Sequence, residues 1–340
     1  MVSLERRRAD VETAYRPGMP GYVLRDWEVT DYQCYELPDT GLWFRGPAPK
    51  PAEKGRYFTV IGAAQTFGCF CDNPYPALLE KRLGTPALNL GYSGAGPGFY
   101  LRHEALLRTI NDSAFCIVQV MSGRSTSNSL FENREGLAYG RRRSDNTPAT
   151  AEQVFDDAIT RELARVPLAP RRLKNLVLKA TGLPLPAIRR LVEESRRDWV
   201  ESYHELLGAI TAPKILFWFS ARTPDYRPRY HRQGPLLGKY PQLIDAATLG
   251  RVKPLADAYV ECVSERGSPQ PLISRFTGEP VTVSLEADKK PVAGGEAASL
   301  YKGVWSENKY YPSPEMHEDA ALALEAPCRR LLDRAEKTPA

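Results

Sequence analysis

The chain has 340 residues, 42% hydrophobic and 26% charged, with a formal charge of +5 at neutral pH. That composition can bury one large core or two smaller ones, and the charge is too small and too dispersed to specify nucleic acid; an anionic small molecule fits it equally well. No apolar run approaches about eighteen residues, and the charged opening from Met1 to Asp10 has no apolar stretch behind it, which disfavours a membrane span and a standard secretion signal. The six cysteines, Cys34, Cys69, Cys71, Cys116, Cys262 and Cys328, sit mostly in apolar segments. A reduced, cytoplasmic protein is the simpler expectation.

In chain order, residues 1–56 read as an irregular leader, broken at Arg16-Pro17-Gly18 and Pro47-Ala48-Pro49, with Tyr22, Trp27, Tyr32, Tyr35 and Trp43 available to pack on the main body. Phe58 to Ile61 then predicts a buried strand entering the turn Gly62 to Gly68. Tyr75, Leu78, Leu79 and Leu83 share one face of a helix, and Pro86 to Gly91 begins a second strand. This βαβ order predicts that the loops after Gly62 and after Gly91 open at the carboxyl edge of a parallel sheet, where such sheets bind ligands. Ala114 to Met121 is a third strand, ending at Ser122-Gly123-Arg124-Ser125. Residues 133–149 read as a charged loop whose Arg141-Arg142-Arg143 is either solvated surface or a gate for an anion.

Ala151 to Ala164 and Leu185 to Ile210 have helical periodicity, and Leu173 to Ala180 is a third candidate helix, so residues 133–210 read as a helical insertion. Lys214 to Ser220 is a fourth strand. It delivers Arg222 just past its end, where the guanidinium either binds an anionic ligand or pairs with Asp225. Tyr226 to Tyr240 is a basic, breaker-rich loop with the character of an active-site cover or of plain surface. Leu243 to Leu249 and Val252 to Val263 read as helical, Val281 to Leu285 as a short strand, and Pro291 to Ala298 as a connector or hairpin. A last helix is expected over Pro314 to Leu332, followed by a tail at 333–340. Cys69-Phe70-Cys71 has one intervening residue and no second pair, which disfavours structural zinc. The glycine loops lack the lysine and hydroxyl pair of a phosphate loop, and Gly91 to Ala95 lacks the second glycine of a nucleophile elbow.

Three of these stretches, in this order, resemble the SGNH-hydrolase superfamily over about Tyr57 to Leu332. Gly62-Ala63-Ala64-Gln65-Thr66-Phe67-Gly68 is similar to the first block, Asn89-Leu90-Gly91-Tyr92-Ser93-Gly94 to the second, and Pro312 to His317 to the start of the final helix. The resemblance implies an α/β three-layer sandwich, a predominantly parallel sheet flanked by helices. It places Ala64 at the usual serine, Asn308 at the aspartate and Tyr311 at the histidine, while His317 aligns inside the terminal helix. The standard serine esterase mechanism is therefore disfavoured, since alanine has no nucleophilic atom and asparagine cannot compensate an imidazolium. Asn128 is the nearest candidate for the third-block oxyanion donor.

A more distant resemblance, to acyltransferases of bacterial capsular-polysaccharide biosynthesis with an SGNH-like fold, rests on Gly62 and Gln65 and implies an acyl-coenzyme A donor. Together these readings lead to a group-transfer enzyme, acyl transfer included, acting on a surface-polysaccharide or glycan precursor. In that version Gln65, Ser93 and Asn128 hold donor or carbonyl oxygens and Tyr311 bonds the acceptor. Gly62 and Gly91 border the ligand, and Arg124 and Arg222 hold its anionic part. The competing reading is a catalytically inactive SGNH-like binding or assembly protein. Either reading is compatible with a homo-oligomer.

Overall fold

The computed structural model describes residues 3–49, 53–165, 185–230, 232–287, 290–291, 297–298 and 302–337. Five parallel strands, β1 (Phe58–Gly62), β2 (Ala87–Gly91), β3 (Cys116–Gln119), β4 (Lys214–Ser220) and β5 (Ala258–Val263), form one sheet in the order β5-β4-β3-β1-β2. Alternation along the strands divides the core. Phe58, Val60, Ile215, Phe217 and Phe219 face one side, whereas Ile61, Val118, Leu216 and Trp218 face the other.

Each face is covered by helices with a matching apolar stripe. α1 (Tyr75–Leu83) and α6 (Pro314–Lys337) cover the first through Tyr75, Leu79, Met316, Ala320 and Leu324. α2 (Pro97–Leu101), α3 (Glu104–Asn111) and the carboxyl half of α5 (Pro186–Ala209) cover the second through Phe99, Leu106, Trp199, Tyr203 and Leu206. α1 stops where Gly84 turns left-handed, its N–H returning to the Glu80 carbonyl. The result is the expected SGNH-hydrolase-like three-layer sandwich, with the loops after β1, β2, β3 and β4 gathered at one edge.

Elsewhere the elements differ from the sequence reading. Residues 133–149 are not a bare loop: Phe131–Glu132, Tyr139–Arg142 and Pro148–Thr150 form an antiparallel meander leading into α4 (Ala151–Arg165). Gly140 permits this pairing, because a Cβ there would collide with the Glu132 carbonyl. Val252 to Val263 is helical only as the short turn Lys253–Leu255; the β-branched and aromatic stretch after it is the fifth strand. Lys290–Pro291 pairs with Ala297–Ala298 as a hairpin. The candidate helix Leu173 to Ala180 lies outside the described residues.

The leader is also more structured than its breakers suggest. It contains a helix at Leu4–Ala14, a turn of helix at Tyr22–Arg25, and a hairpin of Tyr35–Leu37 with Leu42–Phe44. Tyr22, Val29 and Tyr32 pack on Ala64, Phe67, Phe70 and Tyr311, so the leader closes over the loop after β1. Burying side chains of this size stabilises by roughly 1.5–3 kcal/mol each.

Candidate functional site

β1 ends at Gly62, and a short helix over Ala64–Phe67 starts immediately, with Ala63 in extended conformation as its cap. The chain makes so tight a turn because Gln119, on the neighbouring strand β3, accepts hydrogen bonds from the Ala63 N–H (3.1 Å) and the Thr66 hydroxyl (2.8 Å) through Oε1. Ala63, Ala64 and Gln65 form the floor of a cleft at the carboxyl edge of the sheet. Its walls are Gly94 and Ala95 after β2, Ser122, Arg124 and Ser125 after β3, and Tyr240 from the loop after β4; Tyr22, Tyr310 and Tyr311 close it. About 20 Å³ remains, room for about one water molecule.

The residues that the resemblance sets at the triad positions have other surroundings. Ala64 has no reactive atom. Asn308 is buried with its amide fully engaged: Oδ1 accepts from the N–H groups of Tyr310 (3.2 Å) and Tyr311 (2.9 Å), and Nδ2 donates to Gln270 Oε1 (2.9 Å) and the Tyr311 carbonyl (3.0 Å). The Tyr311 hydroxyl accepts from Arg25 (3.2 Å). His317 lies elsewhere, buried against Tyr75 and Phe219, with Nδ1 accepting the Tyr75 N–H (3.2 Å). Burial pushes its pKa down to about 3, so it stays neutral.

Gln65, Arg124 and Tyr311 are brought together in the cleft. Gln65 is 2% exposed, and its side-chain amide has no hydrogen-bond partner among the described residues, with Oε1 buried. Arg124 is held from three sides: Nη1 pairs with Glu152 at the start of α4, Nη2 donates to the Tyr310 hydroxyl (2.9 Å), and Nε donates to Ser122 Oγ (3.4 Å). Burial works to raise the Glu152 pKa, but the adjacent guanidinium outweighs it and the net shift is downward. The pair is therefore ionised, and Arg124 presents little uncompensated charge.

The other expected site residues are engaged in the fold. The Gly62 N–H donates to the Tyr100 hydroxyl (2.9 Å) and the Gly91 N–H to Asn89 Oδ1 (3.0 Å), which leaves neither for a ligand. Gly91 is required for packing, since a Cβ there would strike the backbone at Phe67. Ser93 donates to the Tyr22 hydroxyl of the leader (2.7 Å). Asn128 shapes its own turn, accepting from Leu130 and Phe131 through Oδ1 and donating to Ser195. Arg222 does not reach the cleft. Its guanidinium donates to the carbonyls of Thr223, Lys239, Pro241 and Ile244, sandwiched by Trp218 and Tyr226, and it makes no pair with Asp225 among the described residues.

Beside the cleft, the leader contributes a buried ion pair. Arg25 grips Asp26 through two bonds (2.5 and 2.7 Å), Tyr32 donates to the same carboxylate (2.5 Å), and the guanidinium lies against the rings of Tyr22, Phe70 and Tyr311. Burial opposes the charge on Arg25, but Asp26 and its neighbours more than offset that. Tyr22, Tyr310, Glu152 and Gln242, which donates to the Tyr310 hydroxyl, carried no motif or periodicity in the sequence that marked them for the site.

Fold and site together define an SGNH-hydrolase-like α/β protein without the serine, aspartate and histidine set. The chain belongs to the family described as a domain of unknown function (DUF6473), matched over residues 23–134 and 186–300. No curated protein matches it. Among solved structures it is similar to a carbohydrate esterase family 2 (CE2) enzyme plus carbohydrate binding domain from Corynascus thermopiles (Myceliophthora fergusii), at 11% identity and a TM-score of 0.36, covering 84% of this chain and 69% of that one. A likeness of that strength has no bearing on activity. Among the described residues no helix is long and apolar enough to cross a membrane.

Proposed function

We propose that this chain is a non-hydrolytic, ligand-binding member of the SGNH-like fold, whose cleft takes the hydroxyl-bearing end of a glycan or glycan precursor. The observation that carries this reading is Gln65. Its buried Oε1 has no partner among the described residues; an unmet buried acceptor costs about 1–3 kcal/mol, and a ligand hydroxyl in the cleft would complete it. An amide offers one donor group and one acceptor, the pattern that a pair of sugar hydroxyls matches. The compensated Arg124–Glu152 pair favours a neutral ligand over a free anion at this point, with the Tyr310 and Ser122 hydroxyls as further partners.

Transfer chemistry in the same cleft lacks support. Proton abstraction needs a base within hydrogen-bond reach, and no lining residue is Asp, Glu, His, Lys or Cys. Burial holds the Tyr240 phenol neutral. Acyl-coenzyme A stays outside this reading, and no step through that donor is derived. Admission of a sugar end requires the exposed Tyr310 to swing outwards.

The test is saturation-transfer NMR with neutral hexoses and uronic acids, on the wild type and on Gln65→Met, alongside an ester-hydrolysis assay. We expect transfer to the ring protons of at least one neutral sugar, lost in Gln65→Met, and no ester turnover above buffer. Sugar binding indifferent to Gln65→Met, or hydrolysis abolished by Ser93→Ala without unfolding, would reject the reading.

A further inference from the structure

The arginine cluster of the meander, Arg141 to Arg143, lies away from the cleft and takes no part in it. Two contiguous grooves run beside it, sharing Ser129, Leu130 and Arg161. One, of about 240 Å³, is bordered by Arg142, Arg143, Arg161 and Ser144. The other, of about 260 Å³, has an apolar floor of Leu130, Ala158, Ala187, Ile188 and Leu191, rimmed by Arg161, Arg165 and Arg190.

The charges in these grooves are unequal. Five arginines (142, 143, 161, 165 and 190) face three carboxylates, and each carboxylate is already engaged. Asp157 pairs with Arg142, Glu162 with Arg165, and Glu194 accepts the Ser129 N–H. Arg143 is only loosely paired, 3.7 Å from Glu132, and donates through Nε to the Asn128 carbonyl. Arg161 and Arg190 are exposed, and neither has a hydrogen-bond or ion-pair partner among the described residues. Unpartnered Arg161 and loosely held Arg143, with the Ser129 and Ser144 hydroxyls beside them, bring donors to the first groove, and Arg190 brings a second unpartnered guanidinium to the rim of the other. That chemistry suits a phosphoryl group, which guanidinium binds through paired hydrogen bonds.

The second groove decides what the phosphoryl group is attached to. Its floor is aliphatic and its rim cationic, and guanidinium planes also stack on aromatic rings. Together the two grooves have the volume of a small-ligand site. We infer that they form a binding site for a nucleoside diphosphate, the phosphates held by Arg143 and Arg161 and the base lying on Leu130 and Leu191 under Arg190. The inference is independent of the cleft at Gln65, whose partners it does not share.

Calorimetry at low salt with ADP, pyrophosphate and adenosine tests both halves. Arg161 is exposed and unpartnered, so Arg161→Ala folds as the wild type does; Arg108→Ala, on α3 and paired only with Glu104, is the control. We expect saturable ADP binding that weakens about tenfold in Arg161→Ala, further in the double variant with Arg143→Ala, and not at all in the control. ADP is expected to bind more tightly than pyrophosphate, and adenosine least. Absence of saturable ADP binding, or equal binding by the double variant, would overturn the site; pyrophosphate binding as tightly as ADP would overturn the assignment of the apolar groove to a base.

Discussion

At the scale of single residues, the fate of a side chain depends on whether the fold has already engaged its polar atoms. Arg222 illustrates this: its position past a buried strand is compatible with ligand contact, yet four carbonyls converge on it and burial pushes its pKa down to about 10. Arg222→Lys keeps the charge and loses the fork, so thermal unfolding is expected to show a loss of about 1–3 kcal/mol with binding at the cleft unchanged. Ala64→Ser restores a hydroxyl but no base. Fluorophosphonate labelling of that variant is therefore expected to stay at the background of the wild type. His317 supplies a pH signature. Its folded pKa is depressed to about 3, so between that value and the ordinary histidine range near 6.5 the unfolded chain binds the extra proton. Stability accordingly rises with pH across that window and falls on acidification, by up to about 1.4 kcal/mol per pH unit from this group. His317→Phe should flatten the melting temperature against pH in that range, although leaving the Tyr75 N–H without its acceptor lowers stability overall.

At the scale of elements, the leader behaves as a structural lid. Tyr22 reaches the loop after β2 through Ser93, and the Arg25–Asp26 pair is sealed under Tyr32 and Tyr311. A buried pair that loses one partner leaves an uncompensated charge, so Arg25→Ala and Asp26→Ala should each destabilise by about 3–5 kcal/mol in denaturant unfolding. Replacing both, as Arg25→Met with Asp26→Leu, should cost less than either alone. A double variant as unstable as the sum of the singles would mean that the pair is not the unit that holds the lid.

For the whole molecule, Leu37 and Phe44 of the leader hairpin belong to the core on one face of the sheet, and Tyr22, Val29 and Tyr32 pack with Phe67, Phe70 and Tyr311 over the loop after β1. Loss of near-ultraviolet dichroism, which reports those aromatics, should coincide with loss of far-ultraviolet dichroism in one transition. Removing residues 1–46 should expose that apolar face and raise binding of a hydrophobic dye at neutral pH. A trimmed chain that is dye-silent and as stable as the full chain would show the leader to be dispensable.

Local signals were enough to read four of the five strands of the sheet. Phe58 to Ile61, Ala114 to Met121 and Ile215 to Phe219 are apolar runs of strand length, and the helical stripes between them impose parallel crossovers; the carboxyl edge follows from that order, whereas the replacement of a triad at Ala64, Asn308 and Tyr311 is what the family resemblance implies. β5 escaped because Val252 to Val263 is short and apolar at both strand and helix spacing, and only pairing with β4 settles it. The lining of the cleft was legible only in part, at Gln65, Arg124 and Tyr311. Whether a polar group is available to a ligand depends on what meets it from distant parts of the chain: Tyr100 at Gly62, Tyr22 at Ser93, Ser195 at Asn128 and the 239–244 carbonyls at Arg222. Residue type and spacing determine which groups reach the sheet edge. Tertiary packing alone decides which of them still lack a partner there, because a hydrogen bond is satisfied by proximity in space and not by position along the chain.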